Sequence, residues 1–256
     1  MKVLAALDQT AEASSVLAAS HEIARVFHAD VAALHVLQDG AERVRTLAEH
    51  EGVPLTELDG PPGARLAQAL EDDEALALVV GTRARAQGER EIGSTALEVV
   101  TTVHKLVFAI PPELPAGFAV HRVLVPLEGS PATSSAYPAV DTSDAEQVDI
   151  VILHVLEEDM LPAFSDQPQH EWETFGRKFL ARYSPWPIEH VRLETRVGRP
   201  EEHIFPVARE TKCDVIALAW AQELAPGRAR IVRDTLRHGT FPILFVPVKA
   251  EVVEAA

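Results

Sequence analysis

One unit of this chain is written twice, and that repetition constrains the fold more than any other feature. KVLAALDQT at Lys2–Thr10 returns as RVLVPLEGS at Arg122–Ser130, and LHVL at Leu34–Leu37 returns unchanged at Leu153–Leu156. The stretch Gly60–Gly81 (GPP, a helical run, then ALALVVG) pairs with Gly198–Ala219 (GRP, a helical run, then DVIALA). KLVFAIP, ending at Pro111, pairs with FPILFVP, ending at Pro247. Four echoes in the same order mark a duplicated unit. The expected organisation is a first domain over 1–111, a linker over 112–119, a second domain over 120–248 and a tail over 249–256. The linker falls where PPELPAGFAV interrupts both periodicities.

The apolar runs VLAALD, VAALHV, ALALVVG and KLVFAI are continuous rather than alternating, as are VLVPL, VDIVILHV, DVIALA and ILFV. Strands buried on both faces read this way, which predicts parallel sheets with helices above and below. Apolar residues at helical spacing predict helices over Ala11–Phe27, Ala41–Glu51, Gly63–Glu71 and Thr95–Val103. Each half therefore alternates five strands with four helices. The third strands, near Leu55 and after Ile188, carry the weakest pattern. In the second half the connection from Glu157 to Pro187 is much longer than its counterpart and carries Trp172 and Trp186. It reads as a helix over Gln169–Tyr183 packed on the sheet by its aromatic residues, or as a lid over a ligand.

A formal charge of −16 argues against a phosphate-backbone partner, because nucleic-acid binding draws on concentrated positive charge. Apolar runs stop well short of the roughly 20 residues a membrane span requires. The opening MKVLAALD lacks a signal-peptide cleavage pattern, and the single cysteine, Cys213, has no partner for an internal disulfide. These features predict a cytoplasmic protein without a membrane or nucleic-acid partner. Eleven histidines include no HExxH or zinc-finger spacing, so no metal site is expected.

In a doubly wound sheet, ligands bind outside the carboxyl ends of the strands where the strand order reverses. Asp8 closes the first strand and Gly81 the fourth, so both converge on that crevice. Together with the LHV strand, the GTR turn and final strands ending in Ile-Pro or Val-Pro, these residues resemble the universal stress protein family in a tandem two-domain form. The resemblance runs from Lys2 to about Val248. It implies, for each half, an open parallel five-stranded sheet of order 3-2-1-4-5 flanked by helices, of the adenine nucleotide alpha hydrolase-like kind. It also implies that the last strands pair across a two-fold axis, making an internal pseudo-dimer of two tandem sheets. Association of two chains is left open.

The family's nucleotide-binding branch uses an aspartate at the first strand end and a loop of Gly, two residues, Gly, nine residues, Gly-Ser/Thr. Here the loop reads GTRARAQGEREIGST, with Ala84 in place of the second glycine and one residue fewer. The resemblance thus implies an adenine nucleotide, ATP or AMP, bound by Asp8, Gly81, Thr82, Arg83, Gly93, Ser94 and Thr95, with Mg²⁺ only through its phosphates. The chemistry is independently sensible, since glycines admit close backbone approach, amides at a helix start favour anions, and Arg83, Arg85 and Arg90 add local positive charge. Structural readings stand beside these. Asp8 can cap the following helix, Thr95 and Glu98 can form a capping box, and the arginines can face solvent.

The second half departs further from the motif. Glu128 replaces the aspartate and reaches deeper by one methylene, while Ala219 and Trp220 replace Gly81 and Thr82. Ala229 and Arg230 stand where Gly93 and Ser94 stood, with Arg228 and Arg233 nearby. Trp220 is expected to fill part of the pocket, so this site reads as degenerate. His35 and His154 hold equivalent places and read as structural or crevice-lining. The leading expectation is a stress-response or regulatory protein with no catalytic residues, binding an adenine nucleotide in its first half. No Walker loop, nucleophile elbow or general acid–base pair is present. The alternatives are a slow ATPase or nucleotidyl-transfer enzyme, and a scaffold for protein partners that binds no nucleotide.

Overall fold

The computed structural model describes residues 1–37, 41–82, 94–137, 148–156, 168–187, 191–220 and 240–248. The first half runs β1 (Lys2–Ala6), α1 (Ala13–Val26), β2 (Asp30–Val36), α2 (Glu42–Glu51), β3 (Leu55–Leu58), α3 (Pro62–Leu70), β4 (Ala75–Gly81), α4 (Ser94–Thr102) and β5 (Leu106–Ile110). The second half runs β6 (Arg122–Pro126), α5 (Pro131–Ala136), β7 (Asp149–Leu156), α6 (Pro168–Tyr183), β8 (Val191–Val197), α7 (Pro200–Glu210), β9 (Val215–Trp220) and β10 (Ile243–Pro247). The third echo has a plain local cause. Gly60 and Gly198 both take positive φ, 121° and 125°, a conformation that disfavours any side chain, and Pro62 and Pro200 then open α3 and α7 with preset φ.

Strand order is β3-β2-β1-β4-β5 in the first half and β10-β9-β6-β7-β8 in the second, so both halves wind as 3-2-1-4-5. The two expected five-stranded sheets join through their last strands, so all ten strands belong to one sheet rather than two. β5 and β10 pair antiparallel at its centre, Ala109 opposite Ile243, Phe108 opposite Leu244 and Val107 opposite Phe245. Every other ladder is parallel. Two apolar edges that would otherwise invite foreign strands are thereby closed on each other.

Alternate residues of the strands feed two cores. Val3, Ala5, Phe108, Val125 and Leu244 join α1 and α6 on one face, and Leu4, Val107, Leu124 and Phe245 join α3, α4 and α7 on the other. Each core crosses the β5–β10 seam without a break.

Among the described residues, side-chain hydrogen bonds also tie the halves or their connection. Trp220 Nε1 donates to the Val100 carbonyl at 3.0 Å. Ser15 Oγ donates to the Pro112 carbonyl at 3.1 Å, and the Val120 amide donates to Glu22 Oε1 at 2.8 Å. Glu22 also pairs with Arg25 at 2.7 Å. Burial alone would raise the Glu22 carboxyl pKa, but the hydrogen bonds from Arg25 and Val120 outweigh it and hold the group below its ordinary 4.5. A lowered folded-state pKa means that stability is present above the unfolded value and is lost as pH falls through the folded one. Acidification below about pH 4.5 is therefore expected to narrow the stability gap between the parent chain and Glu22→Gln, read from urea midpoints. Midpoints that fall in parallel would remove Glu22 as the source of acid sensitivity.

Candidate functional site

In the first half, β1 and β4 stay paired as far as Ala5 and Val79, and the chain leaves both strands just beyond. Asp8 lies exposed two residues after β1. Its Oδ1 accepts from the Thr10 amide at 3.0 Å and the Thr10 hydroxyl at 2.5 Å. Thr10 Oγ1 in turn accepts from the Glu12 amide at 3.3 Å. Asp8 thus orders the turn into α1 through Thr10, and it does not cap the helix itself, which begins only at Ala13.

Gly81 ends β4 with φ outside the left-handed region, so its value at this point is space rather than backbone freedom. A Cβ there would meet Val16 Cγ2 at 3.5 Å and Glu12 Oε2 at 3.8 Å. Glu12 therefore places a carboxylate oxygen, itself out of solvent, beside the glycine that the motif reserves for phosphate. Nothing in the local sequence pattern says which way Glu12 points. Thr82 is buried, and its amide donates to the Ile110 carbonyl at 2.9 Å, which commits that amide to the sheet.

Ser94 is the first residue of α4, exposed, with Thr95 half-buried one place further in. Thr95 is consequently inside the helix and not its cap. Glu98 serves no capping box either, because its carboxylate lies against the start of α3, where a Cβ on Gly63 would overlap it. Arg83, Ala84, Arg85, Arg90 and Gly93 lie outside the described residues.

His35 and His154 do the same work in the two halves. Each Nδ1–H donates to a carbonyl just past the first strand, Leu7 at 2.8 Å and Leu127 at 2.9 Å, pinning β2 to β1 and β7 to β6. His154 is also stacked on Phe179, with centroids 4.0 Å apart. Burial holds its pKa below the ordinary imidazole value, against the opposing hydrogen bond to Leu127.

The second-half crevice is closed from within. Its β6–β9 ladder ends at Leu124 and Ile216, one pair earlier than in the first half, so the Ala217 carbonyl and Ala219 amide need other partners. Tyr137 provides both. Its hydroxyl donates to the Ala217 carbonyl at 3.1 Å and accepts from the Ala219 amide at 3.0 Å. Burial pushes the phenol far above its ordinary value, the Ala219 hydrogen bond opposes this, and the Glu128 charge adds to it.

Tyr137 takes the place that Leu17 holds in the first repeat, and that exchange of leucine for a hydroxyl-bearing ring was the signal available in the sequence. Above it, α6 lays Phe179 and Tyr183 within 3.2 and 3.5 Å of where a Cβ on Gly129 would stand. The described part of the inserted segment is therefore a helix packed by its aromatic residues, and Trp186 joins it by packing tilted against Tyr137, with centroids 5.7 Å apart. The Trp172 side chain lies outside the described residues.

Two expectations for this half need correction. Trp220 does not fill the pocket: it is 3% exposed and reaches across the seam to α4, since its indole N–H finds a carbonyl in the helix's last turn that has no intrahelical donor. Glu128 is exposed rather than buried in the crevice, and its charge still acts on the Tyr137 phenol. Ala219 is half-buried and bound to Tyr137, while Arg228, Ala229, Arg230 and Arg233 lie outside the described residues.

A family model described as the universal stress protein family matches residues 119–247, just over half of the chain. The chain belongs to the universal stress protein family. Its structure resembles that of a functionally unknown protein from Pseudomonas aeruginosa PAO1, with a TM-score of 0.69 at 11% identity over 96% of this chain and 92% of that one. A universal stress protein from Archaeoglobus fulgidus DSM 4304 superposes with a TM-score of 0.68 at 16% identity, over 97% and 98% of the two chains. Likeness at such identity establishes the shared fold alone. No curated protein matches the sequence.

Within this universal stress protein, no helix among the described residues is long and apolar enough to cross a membrane. The arrangement is chemically lopsided: the second crevice is filled by its own aromatic residues, and the first is lined by hydrogen-bonding groups and a glycine.

Proposed function

We propose that this universal stress protein is a cytoplasmic stress-response regulator built from two tandem domains of the family, 1–111 and 120–248, holding an adenine nucleotide, ATP or AMP, in the first. The first half qualifies as the second copy because its strand order repeats that of the matched half. One observation carries the nucleotide reading, namely the difference between the two crevices. Tyr137 and α6 fill one, whereas the other keeps a residue without a side chain, Gly81, at the end of β4 with the Glu12 carboxylate beside it. Asp8 would accept from the sugar or base, and Ser94 and Thr95 would offer hydroxyls at the start of α4. The carboxylate of Glu12 opposes phosphate there, so Mg²⁺ on the nucleotide and the arginines that follow Gly81 in sequence would have to offset it. No catalytic role is assigned to any residue.

Isothermal titration calorimetry with ATP, AMP and cyclic AMP tests this directly. Asp8→Ala is expected to weaken binding about tenfold, the loss of one charge-assisted hydrogen bond. Glu12→Gln is expected to tighten it severalfold by removing like-charge repulsion. Saturable binding that is indifferent to both substitutions would place the nucleotide elsewhere, and turnover of ATP would revive the enzymatic alternative. An absence of binding to all three nucleotides would support the scaffold reading, which the engagement of Asp8 by Thr10 favours.

A further inference from the structure

On the α1 face of the sheet, packing between the two halves leaves a cavity of about 40 Å³. Phe27 and Phe108 of the first half bound it on one side, and Val123, Tyr137, Trp186 and Val215 of the second on the other. Each half contributes an aromatic pair to the wall. Phe27 and Phe108 meet edge to face at 6.5 Å, and Tyr137 and Trp186 at 5.7 Å with planes 47° apart.

Among the described residues no lining side chain is charged, and the Tyr137 hydroxyl is already bound to Ala217 and Ala219. Water needs two to four polar partners to occupy such a space, so the cavity stays dry. Its walls forfeit dispersion contacts on the open side, and any apolar atom placed inside restores them. Collapse does not do this, because Phe108, Val123, Val215 and Leu244 stand on strands held in register by the ladders of β5, β6, β9 and β10.

We infer that this inter-half cavity is a binding site for one small, neutral, apolar molecule or chain end, close to a xenon atom in size. Because both halves form the wall, an occupant adds contacts across the seam and stabilises the folded chain as a whole. The site is separate from the proposed nucleotide crevice, so its failure would leave that reading untouched.

Xenon is the probe, applied under rising gas pressure to the full chain while methyl NMR shifts are followed. The expected result is a saturable shift of the Val123 and Val215 methyl groups. Val215→Ile, which adds a methylene to the void, is expected to abolish the shift and raise Tm by about 1–3 °C. If that variant folds poorly, Val123→Ile supplies the same comparison from β6. Shifts in the parent chain that stay linear with pressure, or a saturable shift that survives in a well-folded filled variant, would overturn the inference.

Discussion

Trp220→Ala is expected to lower the unfolding free energy by about 3–5 kcal/mol, the range for removing a buried tryptophan side chain. The site satisfies the conditions for the upper part of that range. Trp220 is 3% exposed, sits in the core beneath α3, α4 and α7, and donates its indole N–H to Val100 across the seam. Truncation opens a cavity and also strands a helix-end carbonyl that has no intrahelical donor. Trp220→Phe separates the two contributions: it keeps most of the ring volume and drops the hydrogen bond, with an expected cost of about 1–3 kcal/mol. Urea unfolding followed by far-UV circular dichroism measures both. A loss below about 1 kcal/mol for the alanine variant would show that the seam does not depend on this contact.

Tyr137→Phe carries the second large effect from a single oxygen atom. The ring remains to pack on Trp186, but the Ala217 carbonyl and Ala219 amide lose their common partner inside the protein. Each unsatisfied buried group costs about 1–3 kcal/mol, so a loss of at least about 2 kcal/mol is expected. Hydrogen exchange gives a local readout, since the Ala219 amide should exchange faster while the Val248 amide, bound to the Trp220 carbonyl, should not. The phenol adds a pH signature. Its folded-state pKa is raised, so its contribution is intact below the ordinary 10.0 and is lost as pH rises above it. An alkaline decline in stability present in the parent chain and absent in Tyr137→Phe is the predicted pattern. Equal declines would assign the effect to other groups.

Much of the architecture was legible residue by residue. Helical spacing over Ala11–Phe27 predicted α1, found at Ala13–Val26, and the aromatic segment Gln169–Tyr183 matches α6 at Pro168–Tyr183. The family resemblance implied that the last strands, KLVFAI and ILFV, would pair with each other, as β5 and β10 do. The site was far less legible. Trp220 was expected within its own half, and the side-chain direction that takes it to Val100 depends on a residue 120 positions away. Tyr137 reaches a carbonyl 80 positions away, and the exchange of Leu17 for a hydroxyl-bearing ring marks the residue without saying which groups it meets. Glu12 lies only a few residues past Asp8, yet its meeting with Gly81 exists only because β1 and β4 lie side by side.

By itself, then, the sequence determined an α/β chain, its parallel strands and most of the elements in each half. These follow from patterns that repeat every two to four residues and need no distant partner. Tertiary structure alone decided that Trp220 serves the seam, and that Tyr137 closes one crevice while the other keeps its glycine beside Glu12. Each of those outcomes is a hydrogen bond or packing contact between groups far apart in the chain, and backbone groups left over by one ladder find their partners only once all ten strands are in place.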